Sequence, residues 1–123
     1  MIFLAVCDFL VPITMIAIGL VYRKRFPKDI NKLHGYRTTR SMKNQETWNF
    51  AQRAFAKVAL IEGTIILVVS MVVVSISISK GQDRFNLIST VLAFIQIGMI
   101  LFVIYFVEKA LKKNFDENGI RKL

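Results

Sequence analysis

Three polar side chains lie where an otherwise apolar sequence should carry none: Asp8, Glu62 and Gln96. An ionisable or strongly polar group inside a lipid-crossing helix is costly, and it marks a site, an ion pair or a helix-to-helix bond. Asp8 would lie ~10–12 Å down the first helix from its outer end. It either marks a site there or stays hydrated at the interface near Lys80 or Arg84. Glu62 falls just inside the basic boundary of the second span and is expected to pair with Arg37 or Arg40, with protonation on a transport path as its alternative. Gln96 is near the middle of the third span and should hydrogen-bond to a neighbouring helix, worth ~0.6–2 kcal/mol. A second group stands together in one long polar stretch: Asn31, Gly35, Tyr36, Arg37, Thr38, Ser41, Met42, Lys43, Asn44 and Trp48. Arg37 and Lys43 alone would be a basic patch that touches anionic lipid heads, at ~1 kcal/mol each. The turn-forming and hydrogen-bonding residues among them point to a folded loop, in which Arg37 is the side chain able to make several directed hydrogen bonds. Whether these residues serve loop folding or binding stays open on sequence.

Catalytic chemistry finds little here. His34 is the single histidine and Cys7 the single cysteine. No metal-ligand cluster, nucleophile–base pair or phosphate-binding glycine loop accompanies them. No enzyme, metal or cofactor is expected. Cys7 reads as a small hydrophobe within an apolar run.

The elements that must position these residues follow from hydropathy. The 123-residue chain is 54% hydrophobic yet carries a net charge of +9, with a mean hydropathy of +0.51. Apolar and basic residues are segregated in blocks, the pattern of an integral membrane protein with basic loops and not of a nucleic-acid binder. Apolar runs over residues 1–22, 58–79 and 85–107 each approach the ~20 helical residues that a hydrocarbon core requires. The first run ends in Arg23-Lys24-Arg25 and is not expected to be a cleaved signal peptide, since no basic segment precedes it. Pro12 within it removes a backbone donor and frees a carbonyl, which lipid tolerates only if a neighbouring helix or water satisfies it.

Residues 23–57 form the polar connection, with turns at Pro27 and Gly35. Helix should resume at a cap on Ser41 or Asn44, with Glu46 in its first turn. Trp48, Ala51, Phe55 and Ala59 then recur at helical spacing, opposed by Asn49, Gln52, Arg53 and Lys57. This reads as an interfacial amphipathic segment that continues without a break into the second span. Ser75-Ile76-Ser77-Ile78-Ser79 alternates like a strand, but a lone strand in lipid leaves its backbone unpaired. A short turn is expected over residues 80–84, and Asn118-Gly119 reads as a helix stop. Residues 23–57 hold ten of the 17 Lys and Arg, the tail 108–123 holds five, and the second connection has only Lys80 and Arg84. The positive-inside rule then gives the N-terminus outside and the C-terminus cytoplasmic. The expectation is an all-α, single-domain, three-helix integral membrane bundle over residues 1–123, with a basic cytoplasmic loop at 23–57 and a cytoplasmic tail at 108–123.

The loop pattern Asn31…Gly35-Tyr36-Arg37-Thr38…Ser41-Met42-Lys43-Asn44…Trp48 resembles the signature of the SdpI family of bacterial toxin-immunity membrane proteins. The resemblance is close from Asn31 to about Ala51, with His34 standing where an aromatic is expected before the glycine. It implies a multi-pass bacterial cell-membrane protein that confers immunity, as in bacteriocin resistance, by binding or blocking a secreted membrane-active toxin. The founding member also senses its toxin and holds a transcriptional repressor at the membrane. That member carries further helices ahead of the signature, so a short, three-span relative is expected here. The implied partners are a secreted toxin peptide or protein, anionic membrane lipids and, as a further candidate, a cytoplasmic regulator. Two other functions remain: a regulatory membrane anchor that captures a cytoplasmic partner such as a repressor, and a small transporter subunit using Asp8, Glu62 and Gln96.

Overall fold

The computed structural model describes residues 2–122 and consists of three helices, α1 (Ile2–Lys24), α2 (Gln45–Ile78) and α3 (Gln82–Asn114). Each is long and apolar enough to cross a membrane. Their lengths are unequal, and that inequality builds the rest of the molecule. At 23 residues α1 measures about 35 Å, against about 51 Å for the 34 residues of α2 and about 50 Å for the 33 of α3. A hydrocarbon core is ~30 Å thick. Gly19 of α1 lies against Ala56 of α2, so α2 projects past α1 at the basic end. Gln96 lies level with Asp8, so α3 ends there nearly with α1 and carries its extra length at the other end. Residues 25–44 fold over the last turn of α1 against the start of α2.

The start of α2 is specified locally. Asn44 caps it in a capping box: its Oδ1 accepts from the Thr47 N–H at 2.9 Å, while the Asn44 N–H donates to Thr47 Oγ1 at 3.0 Å. Of the two expected caps, Asn44 takes the position, and Ser41 is buried inside the loop instead. From Gln45 the helix runs unbroken through the Ser75–Ser79 alternation to Ile78, where Ser75 and Ser77 donate to the carbonyls of Met71 and Val73 instead of to a strand partner. The turn to α3 is tighter than the sequence suggests: α3 begins at Gln82, so Asp83 and Arg84 are already helical, and Gly81 turns the chain at φ +94°.

α1 and α2 share the broadest interface, and α1 and α3 the narrowest. Close approach of the first pair rests on two glycines. A β-carbon at Gly19 would come within 2.6 Å of Leu60 Cγ and 2.9 Å of the Ala56 carbonyl, and one at Gly63 within 3.0 Å of Met15 and Ile16. Gly98, by contrast, faces open space. The core divides into a patch toward the basic end (Met15, Ala51, Ile66, Val103, Val107, Leu111) and one toward the other end (Val74, Phe85, Leu92). Beyond them the helices turn apolar side chains outward, among them Val68, Val72, Ile95 and Leu101, as lipid-facing helices do.

α3 ends at Asn114, before the expected stop. Asn118-Gly119 instead forms the turn of a small C-terminal clasp, in which Phe115 and Arg121 bridge and Gly119 adopts φ +80°. Asp116 Oδ1 accepts the N–H groups of Asn118 and Ile120, both at 2.9 Å.

Candidate functional site

The polar stretch is a folded cap at the basic end, and each of its residues has a definite place. Asn31 makes an Asx-type turn, its Oδ1 accepting the N–H groups of Leu33 and His34 at 2.9 Å. Gly35 sits at φ +102°, where a β-carbon would meet Gln52 Oε1 at 3.0 Å and the Trp48 ring at 3.4 Å. Glycine is required there both by its backbone and by the space left to it. Tyr36 follows, held by a two-way amide pairing: its N–H donates to Gln52 Oε1 at 2.8 Å and its carbonyl accepts from Gln52 Nε2 at 2.7 Å. Its hydroxyl donates to Glu108 Oε2 at 2.8 Å, and Thr38 Oγ1 donates to the same oxygen at 3.0 Å. Burial, and then the hydrogen bond and charge of Glu108, raise the Tyr36 phenol well above the ordinary tyrosine range.

Ser41 closes the turn, accepting the Thr38 N–H at 2.7 Å and donating to the Thr38 carbonyl at 3.0 Å. The Met42 N–H donates to the same carbonyl at 3.0 Å. Trp48 is fully buried beneath the cap, its indole N–H donating to the Pro27 carbonyl at 2.6 Å. A tryptophan expected to sit in the membrane interface is thus the floor of the loop. The first half of the loop meets the start of α2 through this bond and through Gln45 Nε2, which donates to the Lys28 carbonyl at 2.5 Å.

Two residues that complete the cap were not singled out by sequence. Gln52 read as a polar-face residue, yet it falls four positions after Trp48 and shares its buried stripe, a spacing that could have flagged it. Glu108 read only as the start of the tail, and nothing in its neighbourhood announces a partner 72 residues away. Arg37 departs in the opposite sense. It is exposed, its one hydrogen bond within the described residues runs to the Lys32 carbonyl, and Lys43 is exposed as well.

The clasp locks the cap from the other side. Asn44 Nδ2 donates to the Gly119 carbonyl at 2.8 Å, and Arg121 meets Glu46 at 3.2 Å in an exposed pair. That pair is the only ion pair among the described residues, so Glu62 is joined neither to Arg37 nor to Arg40.

The three intramembrane residues are all buried, and they do not form one site. Gln96 bridges the bundle: its Nε2 donates to the Asp8 carbonyl at 2.7 Å and to Ser70 Oγ at 3.1 Å. Asp8 is the residue four before Pro12, so the carbonyl that proline frees is the one Gln96 satisfies. The Asp8 side chain is 2% exposed, not hydrated at the interface, and Oδ2 has no hydrogen-bond partner among the described residues. The same holds for Glu62 Oε2 and Ser89 Oγ. Glu62 neighbours Gly63, the α1 contact near Met15, about two helical turns along α2 from Ser70.

Beneath the cap, where α1 and α3 barely touch, lies an open groove of about 540 Å³. α1 contributes Leu10, Thr14 and Ile18, α2 contributes Phe55 and Ala59, and α3 contributes Ile100 and Ile104. Gly35, Tyr36, Arg37 and Thr38 line its basic end. Its size is that of a small-molecule site, and its walls are almost wholly apolar.

Comparison with known proteins agrees with this arrangement. Residues 28–107 match the SdpI/YfhL protein family, a match that contains the loop from Asn31 to Asn44, all of α2 and most of α3. Over 52 residues the chain is 42% identical to the uncharacterized protein YfhL of Bacillus subtilis (strain 168), a stretch covering 42% of this chain and 47% of that protein. The chain thus spans about half the length of the curated relative it matches. No solved structure matches it. With three helices able to span a membrane and a family match across 28–107, the chain belongs to the SdpI/YfhL family of multi-pass bacterial membrane proteins.

Proposed function

We propose that this protein is an immunity protein that protects its bacterial host by binding or blocking a secreted, membrane-active toxin. The observation that carries the reading is the family match over residues 28–107, whose loop is folded here into a definite cap instead of being a solvated basic linker. In this reading the basic end is cytoplasmic and the N-terminus outside, an orientation supported by the distribution of Lys and Arg. Cap and bundle act by binding, and no catalytic step is involved. Arg37 is the contact residue on the cap: it is exposed, and among the described residues most of its N–H donors are uncommitted.

The test is survival of a sensitive Gram-positive host that expresses the protein, challenged with secreted toxins of related bacteria. Arg37→Ala is compared at matched membrane abundance, because removing an exposed side chain leaves the cap intact. Protection by the intact protein that is lost in Arg37→Ala supports the reading and places contact at the cap. Protection retained by Arg37→Ala and by Arg37→Ala/Lys43→Ala removes the cap from it. Absence of protection against every toxin overturns immunity, and favours a membrane anchor whose soluble partner would co-purify and dissociate in high salt.

A further inference from the structure

We infer that the groove between α1 and α3 is a binding site for a single anionic phospholipid, with an acyl chain along the apolar walls and the phosphate at Arg37. Four observations lead there. The groove lies between α1 and α3, the helix pair with the narrowest interface. Its mouth is flanked by the outward-turned Leu10, Ile18, Ile100 and Ile104 of two membrane-spanning helices, which turns it toward hydrocarbon. From Leu10 to Ile18 it runs about 12 Å along α1, close to the depth of one leaflet. Its basic end is closed by the cap, not by lipid-facing residues, so a chain entering from the side reaches a polar stop. At that stop stands a guanidinium with one backbone bond and, among the described residues, no carboxylate partner.

The other polar groups at this end are already committed. The Tyr36 and Thr38 hydroxyls both donate to Glu108, which leaves Arg37 as the free donor that an anionic headgroup would meet. A guanidinium suits a phosphate because it can offer two parallel N–H groups to two oxygens. A zwitterionic lipid gains less, since its ammonium would be brought to a surface that already carries Lys32, Arg40 and Lys43. General attraction of basic loops to anionic membranes does not select one lipid; a groove with a single donor at its end does. The inference is independent of immunity and stands or falls without it.

The experiment is native mass spectrometry of the full-length protein in detergent, titrated with dioleoyl phosphatidylglycerol or dioleoyl phosphatidylcholine. The expected result is one retained phosphatidylglycerol, bound about tenfold more tightly than phosphatidylcholine, the worth of a single charge-assisted contact. Arg37→Ala should erase that preference, while Arg40→Ala, outside the groove, should keep it. Thr14→Trp and Ile104→Trp fill the groove from α1 and α3 at exposed positions, and each should abolish the one-to-one adduct of either lipid. Equal retention of the two lipids, or adducts indifferent to Arg37→Ala and to both tryptophans, overturns the assignment. Preferential retention of an apolar helical peptide, lost with Thr14→Trp but not with Arg37→Ala, also overturns it and gives the groove to a peptide. The survival assay is scored separately, so failure of immunity leaves this result unchanged.

Discussion

Replacing Gln52 with leucine should strand two buried backbone groups of Tyr36 at once, at about 1–3 kcal/mol for each group left unpaired. Thermal unfolding in detergent should show the loss, and a variant as stable as the parent would mean that the cap does not depend on this pairing. Gly35→Ala should cost about 1–2 kcal/mol on backbone grounds alone, because φ +102° is disfavoured for any residue with a β-carbon. Tyr36 gives a pH signature. Its raised phenol pKa means that the un-ionised form is the one the folded cap prefers. That contribution is complete below pH 10, the usual tyrosine value, and declines as pH climbs beyond it. Tyr36→Phe should therefore be slightly less stable at neutral pH, yet lose less stability than the parent between pH 10 and 11, as followed by circular dichroism. At this scale the sequence was only half legible. Asn31, Gly35 and Asn44 have local geometries that their residue types announce. The exposure of Arg37 and the burial of Trp48 depend on what packs above and below them, which spacing does not reveal.

Pro12 and Gln96 form a unit of two helices. The proline withdraws the donor that would have paired with the Asp8 carbonyl, and the glutamine of α3 supplies another. Sequence made both halves of this readable, a freed carbonyl on one helix and a mid-span amide on another, because lipid offers neither group an alternative. It could not read that the two halves meet. Gln96→Leu should cost about 1–2 kcal/mol in the parent. In a Pro12→Ala background, where α1 can satisfy its own carbonyl, the same change should cost much less. A double-mutant cycle measures the difference, and additive effects would show that the two residues are not coupled. The α1–α2 seam makes a harsher demand: Gly19→Leu cannot be accommodated against the Ala56 carbonyl, a backbone atom that cannot swing aside, so α1 should separate from α2.

For the molecule as a whole, the reach of α2 past the end of α1 decides where the folded polar structure stands. The number and order of spans follow from hydropathy and were legible. The helical start of α2 ahead of its span was legible too, as an amphipathic segment capped near Asn44. That Gln52 on it and Glu108 on α3 would close on one loop was not, because spacing does not reveal contacts between distant segments. The cap draws on α2 and α3, through Gln52 and Glu108, and on the C-terminal clasp, through the Gly119 carbonyl on Asn44. Removing residues 116–123 should leave the spans intact but speed hydrogen exchange at the amides of Tyr36, Thr38 and Met42, a contrast that exchange mass spectrometry would resolve. The clasp also imposes an order on synthesis. A ribosome delivers Gln52 soon after Tyr36, but Glu108 and Gly119 only once α3 has been made. Until then the nascent chain holds a half-closed cap, its two hydroxyls without their carboxylate and the start of α2 without its last tether. The stretch that reads earliest as this protein's most distinctive feature is thus the last part of it to set.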